Sequence, residues 1–287
     1  MRRNLGPLAV SLLAVSCAAA PAVRQVVEPQ DGVILSYEVR GDGPTAVVFI
    51  HDWCGARWHW ESQMRRYSDE YTTVGIDLRA HGESTGHGRT EWTIRAFSRD
   101  VVAVVDDLGL GEVILVGHAM GGAVALESAR RLGDRVNAVI GVNSVPDVEL
   151  RFLPEEIEAE SARIESDYDA AIMEILPGTT RILDQRTAGR VREQMLASDP
   201  AVAASLNRSM WSMDFRRALT ACPVPFFCIN ASDVFITNGA ANSRAARVYE
   251  LVQIKGIGYY PMLEGSSVFE RALDDVLARA VERAGRR

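Results

Sequence analysis

Apolar residues occur along this chain in a series of short, continuous runs. Runs of roughly four to eight apolar residues are typical of strands covered on both faces of a parallel sheet. Residues 46–50 form such a run, and strands are predicted over residues 33–39, 46–50, 73–76, 113–116, 136–142, 225–230 and 249–254. Turn-forming sequences such as Gly41-Asp42-Gly43-Pro44 separate the runs and indicate that each strand is short.

A helical spacing of apolar residues fills the intervals between the strands. Residues 93–108 place Phe97, Val101 and Val104 on one stripe, and further helices are predicted over 60–67, 123–132 and 268–284. Because strands alternate with helices, we expect an α/β domain with a mostly parallel, doubly wound sheet and helices on both faces. Ligands of such sheets bind at the carboxyl ends of the strands.

The alternation stops over residues 146–216. Pro154 suits the first turn of one helix, and Asp199-Pro200 suits the cap and first turn of another. We expect this stretch to form an all-helical lid, inserted in a core made of residues 23–145 and 217–287.

Residues 1–22 have the pattern of an export signal, with Arg2 and Arg3 before a short apolar run. The run ends in Leu13-Ala14-Val15-Ser16-Cys17, which resembles a bacterial lipoprotein cleavage box, although Leu13 is one residue further from the cysteine than usual. We expect an exported protein, either periplasmic or attached to the membrane through a lipid on Cys17. Plain cleavage within residues 18–22 and a permanent apolar anchor are the alternatives.

The charge balance excludes one class of partner. The chain has 31 Lys and Arg against 38 Asp and Glu, a net charge of −7, whereas proteins that bind nucleic acid present a basic face. A small apolar or acyl-type ligand and a protein partner both fit this composition. No spacing of His, Cys, Asp or Glu matches a known metal site, and we expect neither a metal nor a cofactor.

Residues 113–122, Val-Ile-Leu-Val-Gly-His-Ala-Met-Gly-Gly, have the strand–turn–helix sequence of a nucleophile elbow. In that turn, glycines allow strand and helix to pack closely around one strained residue that carries the reactive atom. Gly117, Gly121 and Gly122 are present, but the strained position is Ala119. Its methyl group cannot attack a substrate.

Together with three further motifs, in matching order and spacing, the elbow makes the chain resemble the α/β-hydrolase superfamily of esterases and lipases. His51-Asp52-Trp53 resembles the oxyanion loop, residues 77–84 (Asp-Leu-Arg-Ala-His-Gly-Glu-Ser) resemble a second loop with Ala80 in place of a glycine, and residues 256–264 resemble the segment that carries the catalytic histidine. The resemblance implies an α/β-hydrolase fold over nearly all of the mature chain. It also implies that the oxyanion-binding groups come from Trp53 and Met120.

The resemblance further implies a Ser–Asp–His triad in that chain order. Ala119 stands at the serine position, Asp233 at the acid position, and Tyr259 at the histidine position, 26 residues after Asp233. All five histidines precede Ala119, and a tyrosine, with an ordinary pKa of about 10, is a poor general base. Serine-hydrolase turnover is therefore predicted to be absent.

With an incomplete triad, the roles of two carboxylates, Asp52 and Asp233, have to be explained. Asp52 stands where the oxyanion loop usually has glycine, which puts a negative charge near the place where an oxyanion would form and opposes its stabilisation. Asp233, without a histidine to orient, is expected to accept a hydrogen bond from the Tyr259 hydroxyl.

The remaining candidates near the site have both a functional and a structural interpretation. His51, Asp52 and Trp211 are candidates for the pocket wall, although His51 and His118 are expected to be hydrogen-bonded structural residues. Cys54 could replace the nucleophile, but it has no assigned base, and a packed thiol is the preferred interpretation.

Three functional hypotheses follow. The first is an exported pseudohydrolase that binds a small ester-, acyl- or lactone-like ligand or a protein partner without turnover. The second is an inactivated variant of a serine ester hydrolase. The third is an enzyme that uses other chemistry in the same pocket.

Overall fold

The structure, a computed structural model, describes residues 22–27, 32–86 and 91–285. These residues form one sheet of eight strands: β1 Ala22–Val27, β2 Ile34–Arg40, β3 Ala46–Ile50, β4 Thr72–Ile76, β5 Val113–His118, β6 Val136–Val142, β7 Phe226–Ala231 and β8 Tyr249–Ile254. Their order across the sheet is β1-β2-β4-β3-β5-β6-β7-β8. β2 pairs antiparallel with β1 and β4, and the other neighbours are parallel. The predicted fold class is thereby confirmed.

The continuous apolar runs became the central strands because both faces of the sheet are covered. Every residue of β3, β5, β6 and β7 is buried. β1 was not predicted. It lies at the edge of the sheet, where exposed residues such as Arg24 and Gln25 replace the apolar run that marks an interior strand.

Ten α-helices lie within the described residues: α1 Glu61–Tyr67, α2 Ile94–Asp107, α3 Met120–Leu132, α4 Pro154–Ser166, α5 Tyr168–Thr179, α6 Gln185–Leu196, α7 Pro200–Trp211, α8 Phe215–Ala221, α9 Gly239–Ala245 and α10 Ser267–Ala284. One hydrophobic cluster buries α2 and α3 against one face of the sheet, through residues such as Phe97 and Val124. A second cluster buries α1 and α10 against the other face, through residues such as Met64 and Phe269.

The helices α4 to α7 lie between β6 and β7 in the sequence, where the strand pattern is interrupted. Two of their predicted starts are confirmed: Pro154 is the first residue of α4, and the Asp199 side chain accepts hydrogen bonds from the first turn of α7. The indole N–H of Trp53 donates to the Ala203 carbonyl of α7 at 2.9 Å. This bond ties the helical insertion to the loop that follows β3.

Residues 1–21 of the predicted export signal, including Cys17, lie outside the described residues, as does His87. Within the described ranges, no helix combines the length and the apolarity that a membrane span requires.

Candidate functional site

The elbow forms where β5 ends and α3 begins, and Ala119 is the residue at the turn. Its backbone has φ 44° and ψ −107°, a conformation that alanine rarely adopts. The Ala119 N–H donates to the Val142 carbonyl at 2.9 Å, and the residue is 4% exposed. A buried methyl group therefore occupies the most strained position of the turn.

Close contact between strand and helix maintains this conformation. A Cβ atom on Gly117 would lie 2.2 Å from the backbone of Gly121, and one on Gly121 would lie 2.5 Å from the carbonyl oxygen of Ile50. Only glycine fits at either position without moving the backbone. The geometry of the turn thus depends on these glycines and not on a reactive side chain.

The Asp52 side chain crosses from the loop after β3 to the start of α3. Its Oδ1 accepts a hydrogen bond from the backbone N–H of Met120 at 3.0 Å, and its Oδ2 accepts one from the Tyr259 hydroxyl at 2.7 Å. A helix N-terminus favours a negative charge, because its first N–H groups are unpaired and the helix dipole is positive there. Asp52 therefore occupies the anion-binding end of α3 with its own carboxylate.

Tyr259 is fixed by contacts to its backbone. Its carbonyl oxygen accepts hydrogen bonds from Nε2 of His118 at 2.8 Å and from Nδ2 of Asn143 at 3.0 Å. These bonds turn the phenol toward Asp52. Burial, reinforced by the Asp52 carboxylate, raises the pKa of Tyr259 well above 10, so the hydroxyl keeps its proton and acts as a donor.

The prediction that Asp233 accepts a hydrogen bond from the Tyr259 hydroxyl is wrong. Asp233 follows β7, is exposed, and its Oδ2 accepts the backbone N–H of Gly256 at 2.6 Å. The Tyr259 hydroxyl donates instead to Asp52. The physical reason is the orientation of the segment carrying Tyr259, whose carbonyl is held by His118 and Asn143 and whose side chain therefore points toward the start of α3.

His51 stabilises the loop after β3 through hydrogen bonds and does not line a pocket wall. It is fully buried, its Nε2 accepts the N–H of Leu78 at 3.0 Å, and its Nδ1 lies 2.7 Å from the Asp52 carbonyl. Because Nε2 is an acceptor here, the proton of the neutral ring is on Nδ1 and is donated to that carbonyl. Burial lowers the pKa of His51 well below 6.5, which is consistent with a structural histidine.

His118 has the same structural character, as expected, but only one of its nitrogens is used. The ring is 1% exposed, and its Nε2–H donates to the Tyr259 carbonyl. Burial lowers the pKa of His118, so the ring is neutral and Nδ1 carries a lone pair. That nitrogen lies 4.0 Å from Oδ2 of Asp52.

Cys54 is a packed thiol. It is fully buried, its sulfur lies 3.4 Å from the Tyr168 hydroxyl, and burial raises its pKa to about 12. A thiolate is the reactive form, and a thiol in this environment does not supply it near neutral pH.

The two tryptophans predicted near the pocket make different contacts. Trp53 is tied to Ala203 through its indole N–H, as described above. Trp211, the last residue of α7, packs edge-on against Phe152 with ring centroids 4.9 Å apart. Ala80, which replaces a glycine of the family pattern, has φ 58°, a backbone conformation that favours glycine.

Asn143 was not identified from the sequence. It follows β6 with φ 45°, its Oδ1 accepts the N–H of Ala231 at 2.7 Å, and its Nδ2 donates to the Tyr259 carbonyl. A polar residue directly after a buried strand, at the carboxyl edge of a parallel sheet, was the available signal.

Three positions of the site bear on acyl-transfer chemistry. Ala119 has no nucleophilic atom, Tyr259 is a hydrogen-bond donor, and the Met120 N–H is already bonded to a carboxylate. No group of three or more potential metal ligands was found in the part of the chain that the structure describes.

Residues 45–217 match the model of the α/β-hydrolase fold family, and the chain belongs to this family. The 2-(acetamidomethylene)succinate hydrolase of Mesorhizobium japonicum is 29% identical over 132 residues, which cover 46% of this chain and 45% of that protein. The chain thus spans less than half the length of this curated relative.

Similarity to solved structures extends over more of the chain. A thermophilic esterase from Thermogutta terrifontis and a bromoperoxidase from Bacillus anthracis each superpose with a TM-score of 0.78 at 22% identity. Each superposition covers 90% of this chain, with 99% of the esterase and 100% of the bromoperoxidase. At this level of identity the similarity shows the fold alone.

Proposed function

We propose that this protein is a member of the α/β-hydrolase family that binds a small ligand without serine-hydrolase turnover. The observation that carries the proposal is the turn between β5 and α3, where a buried alanine methyl group stands at the residue that the sequence resemblance assigns to the nucleophile. Triad members act as a unit, so losing the nucleophile alone removes most of the rate enhancement.

The Asp52 contact strengthens the proposal independently of Ala119. In the family pattern the Met120 N–H is an oxyanion donor, and removing one such donor costs roughly 10²–10³ in kcat. Here the N–H is bonded to the Asp52 carboxylate at 3.0 Å. A substrate oxygen would have to displace a charged, buried acceptor, so the residual catalysis that survives loss of a triad is also opposed.

The third hypothesis, chemistry through Cys54, is not favoured. The high pKa and full burial of this thiol leave it unreactive. Asp233 faces solvent and contacts neither Tyr259 nor Asp52 through a side-chain hydrogen bond. A protein partner remains the competing interpretation of a non-catalytic role.

A fluorophosphonate probe and a panel of short-chain aryl esters test the proposal directly. We expect no covalent adduct and no turnover above the rate of the free ester in buffer, with an active serine esterase run in parallel. Stoichiometric labelling of the protein, or turnover that saturates with ester concentration, would refute the proposal.

A reversion series tests the competing proposal that the chain is an inactivated ester hydrolase. The double variant Ala119→Ser/Tyr259→His restores two family residues but leaves the Met120 N–H bonded to Asp52. We expect this variant to stay inactive, and the triple variant with Asp52→Gly to exceed it by roughly 10²–10³ if the remaining pocket still accepts esters. Robust turnover by the double variant would support the inactivated hydrolase.

We further propose that the protein is exported, on the basis of the residue pattern over 1–22. Cell fractionation of the wild type and of Cys17→Ser, with metabolic labelling by a fatty acid, distinguishes lipid attachment from plain secretion. Label on the wild type and none on the variant supports lipidation, whereas recovery of the wild type in the cytoplasm contradicts export.

A further inference from the structure

Two buried hydrogen-bond acceptors face each other beside the elbow. Nδ1 of His118 lies 4.0 Å from Oδ2 of Asp52, and the residues are 1% and 5% exposed. The ring nitrogen has no hydrogen-bond partner among the described residues. Because Nε2–H is committed to the Tyr259 carbonyl, a neutral His118 presents a lone pair on Nδ1. Among the described residues, Nδ1 of His118 therefore accepts no hydrogen bond, although it faces the Asp52 carboxylate.

Among the described residues, the hydrogen bonds to the Asp52 carboxylate come from neutral groups at the positive end of the α3 dipole and not from a cationic side chain. The Asp52 carboxylate accepts hydrogen bonds from the Met120 N–H and the Tyr259 hydroxyl, and both donors are neutral. Within the described ranges its one recorded contact to a basic side chain is the 4.0 Å contact to His118. Buried charges in proteins are usually paired, because an isolated one is costly to remove from water.

The geometry of the gap between the two side chains selects among donor groups. If a donor atom lay about 2.8 Å from each acceptor, the angle between its two directions to Oδ2 of Asp52 and Nδ1 of His118 would be about 90°. A primary ammonium nitrogen has three N–H bonds in a tetrahedral spread and can reach both acceptors, whereas a hydroxyl has one hydrogen and can reach only one. A carboxylate or carbonyl oxygen would face two lone pairs and be repelled.

Aromatic rings flank these acceptors. The ring of His118 lies 4.9 Å from that of Tyr259 and 5.3 Å from that of Tyr260, and the two tyrosine rings are nearly perpendicular at 5.0 Å. Aromatic faces attract cations, and a carboxylate next to aromatic rings is a favourable environment for an ammonium group.

We propose that the site binds the primary ammonium group of a small ligand between Oδ2 of Asp52 and Nδ1 of His118. This inference rests on the proposed function, since an unconverted ligand must occupy the site, and it names the class of ligand as an amine in place of an ester or acyl compound. Asp52 is then the specificity-determining residue.

Calorimetric titration with three molecules of equal length tests the proposal: n-butylammonium, n-butanol and n-butyrate. We expect the ammonium ion to bind at least tenfold more tightly than the alcohol, and the carboxylate not to bind. Asp52→Asn keeps the size of the side chain and removes its charge, and it should weaken ammonium binding at least tenfold. Asp42→Asn, at an exposed turn, makes the same change of charge and should bind as the wild type does.

A second measurement does not depend on the folding of a variant. In ¹⁵N-histidine NMR spectra of the wild type, n-butylammonium should move the resonance of one unprotonated Nδ1, and n-butanol should not. Equal affinity for ammonium and alcohol, retained binding by a folded Asp52→Asn, or unmoved histidine resonances at saturating ammonium, as an ordered water alone would give, would each overturn the inference. Ester turnover by the wild type would refute the proposed function while leaving the amine selectivity intact.

Discussion

Substituting Gly117 by alanine tests whether close packing maintains the elbow. The added Cβ would lie 2.2 Å from the backbone carbon and oxygen of Gly121 and 2.5 Å from the nitrogen of Gly122. Non-bonded carbon atoms settle at about 3.5 Å, so α3 would have to move from β5 by roughly 1 Å. All the opposing atoms belong to the backbone, and no side chain can rotate away from the clash.

We expect Gly117→Ala to lower the free energy of unfolding by about 3 kcal/mol, the upper end of the usual cost of overpacking. Gly189→Ala is the matched control, because Gly189 lies within α6 and a Cβ there meets no atom within 4 Å. Alanine at that position should raise the free energy of unfolding by about 0.5–1 kcal/mol, since glycine is a poor helix former.

Urea unfolding followed by circular dichroism measures both effects as shifts of the midpoint at constant slope. If Gly117→Ala unfolded within about 0.5 kcal/mol of the wild type, the elbow would tolerate a side chain that the structure excludes. Equal losses in Gly117→Ala and Gly189→Ala would show that the effect is not specific to the elbow. Either result would refute the packing argument.

Three further predictions concern buried ionisable groups. Cys54 should resist iodoacetamide in the folded protein at pH 8 and react on unfolding, because its pKa is raised to about 12; peptide mass spectrometry reads this out, and rapid native labelling would contradict it. Asp100→Asn should cost about 3–5 kcal/mol, since it removes the charge of one member of a fully buried ion pair with Arg79; a loss below about 1 kcal/mol in urea unfolding would be inconsistent with that pair. Burial lowers the pKa of His59 to about 3 and that of His81 to about 4, so the unfolded state binds more protons than the folded state between these values and pH 6.5. The free energy of unfolding should therefore fall by up to about 2 kcal/mol per imidazole as the pH is lowered from 7 to 5. A free energy of unfolding that did not change over this pH range would argue against neutral buried rings.

Much of the fold was predictable because strands buried on both faces of the sheet consist mostly of apolar residues, and such runs are visible in the sequence. The predicted bounds of β3, β6 and β8 are those of the structure. For β3 and β6 the apolar run is bounded by polar residues, Thr45 and His51 in the first case and Arg135 and Asn143 in the second. β1 left no such trace, because an edge strand with one open side needs no apolar run. The short helices α8 and α9 were also missed.

The site was predictable in its parts but not in its pairing. Ala119, Asp52 and Tyr259 were each identified, and the negative charge near the Met120 N–H was anticipated. The partner of the Tyr259 hydroxyl was not, because Asp52 lies 207 residues away and the phenol is aimed by contacts to the Tyr259 carbonyl. Side-chain direction at such a position depends on backbone bonds that no local pattern encodes.

The hydrogen bond from Trp53 to Ala203 has a mechanical consequence for access to the site. Trp53 is the immediate neighbour of Asp52, and Ala203 belongs to α7. An outward displacement of α7 would either break the hydrogen bond of the indole or pull the loop with the helix, and the second course would draw the carboxylate away from the start of α3. This hydrogen bond therefore links the position of α7 to that of the buried carboxylate.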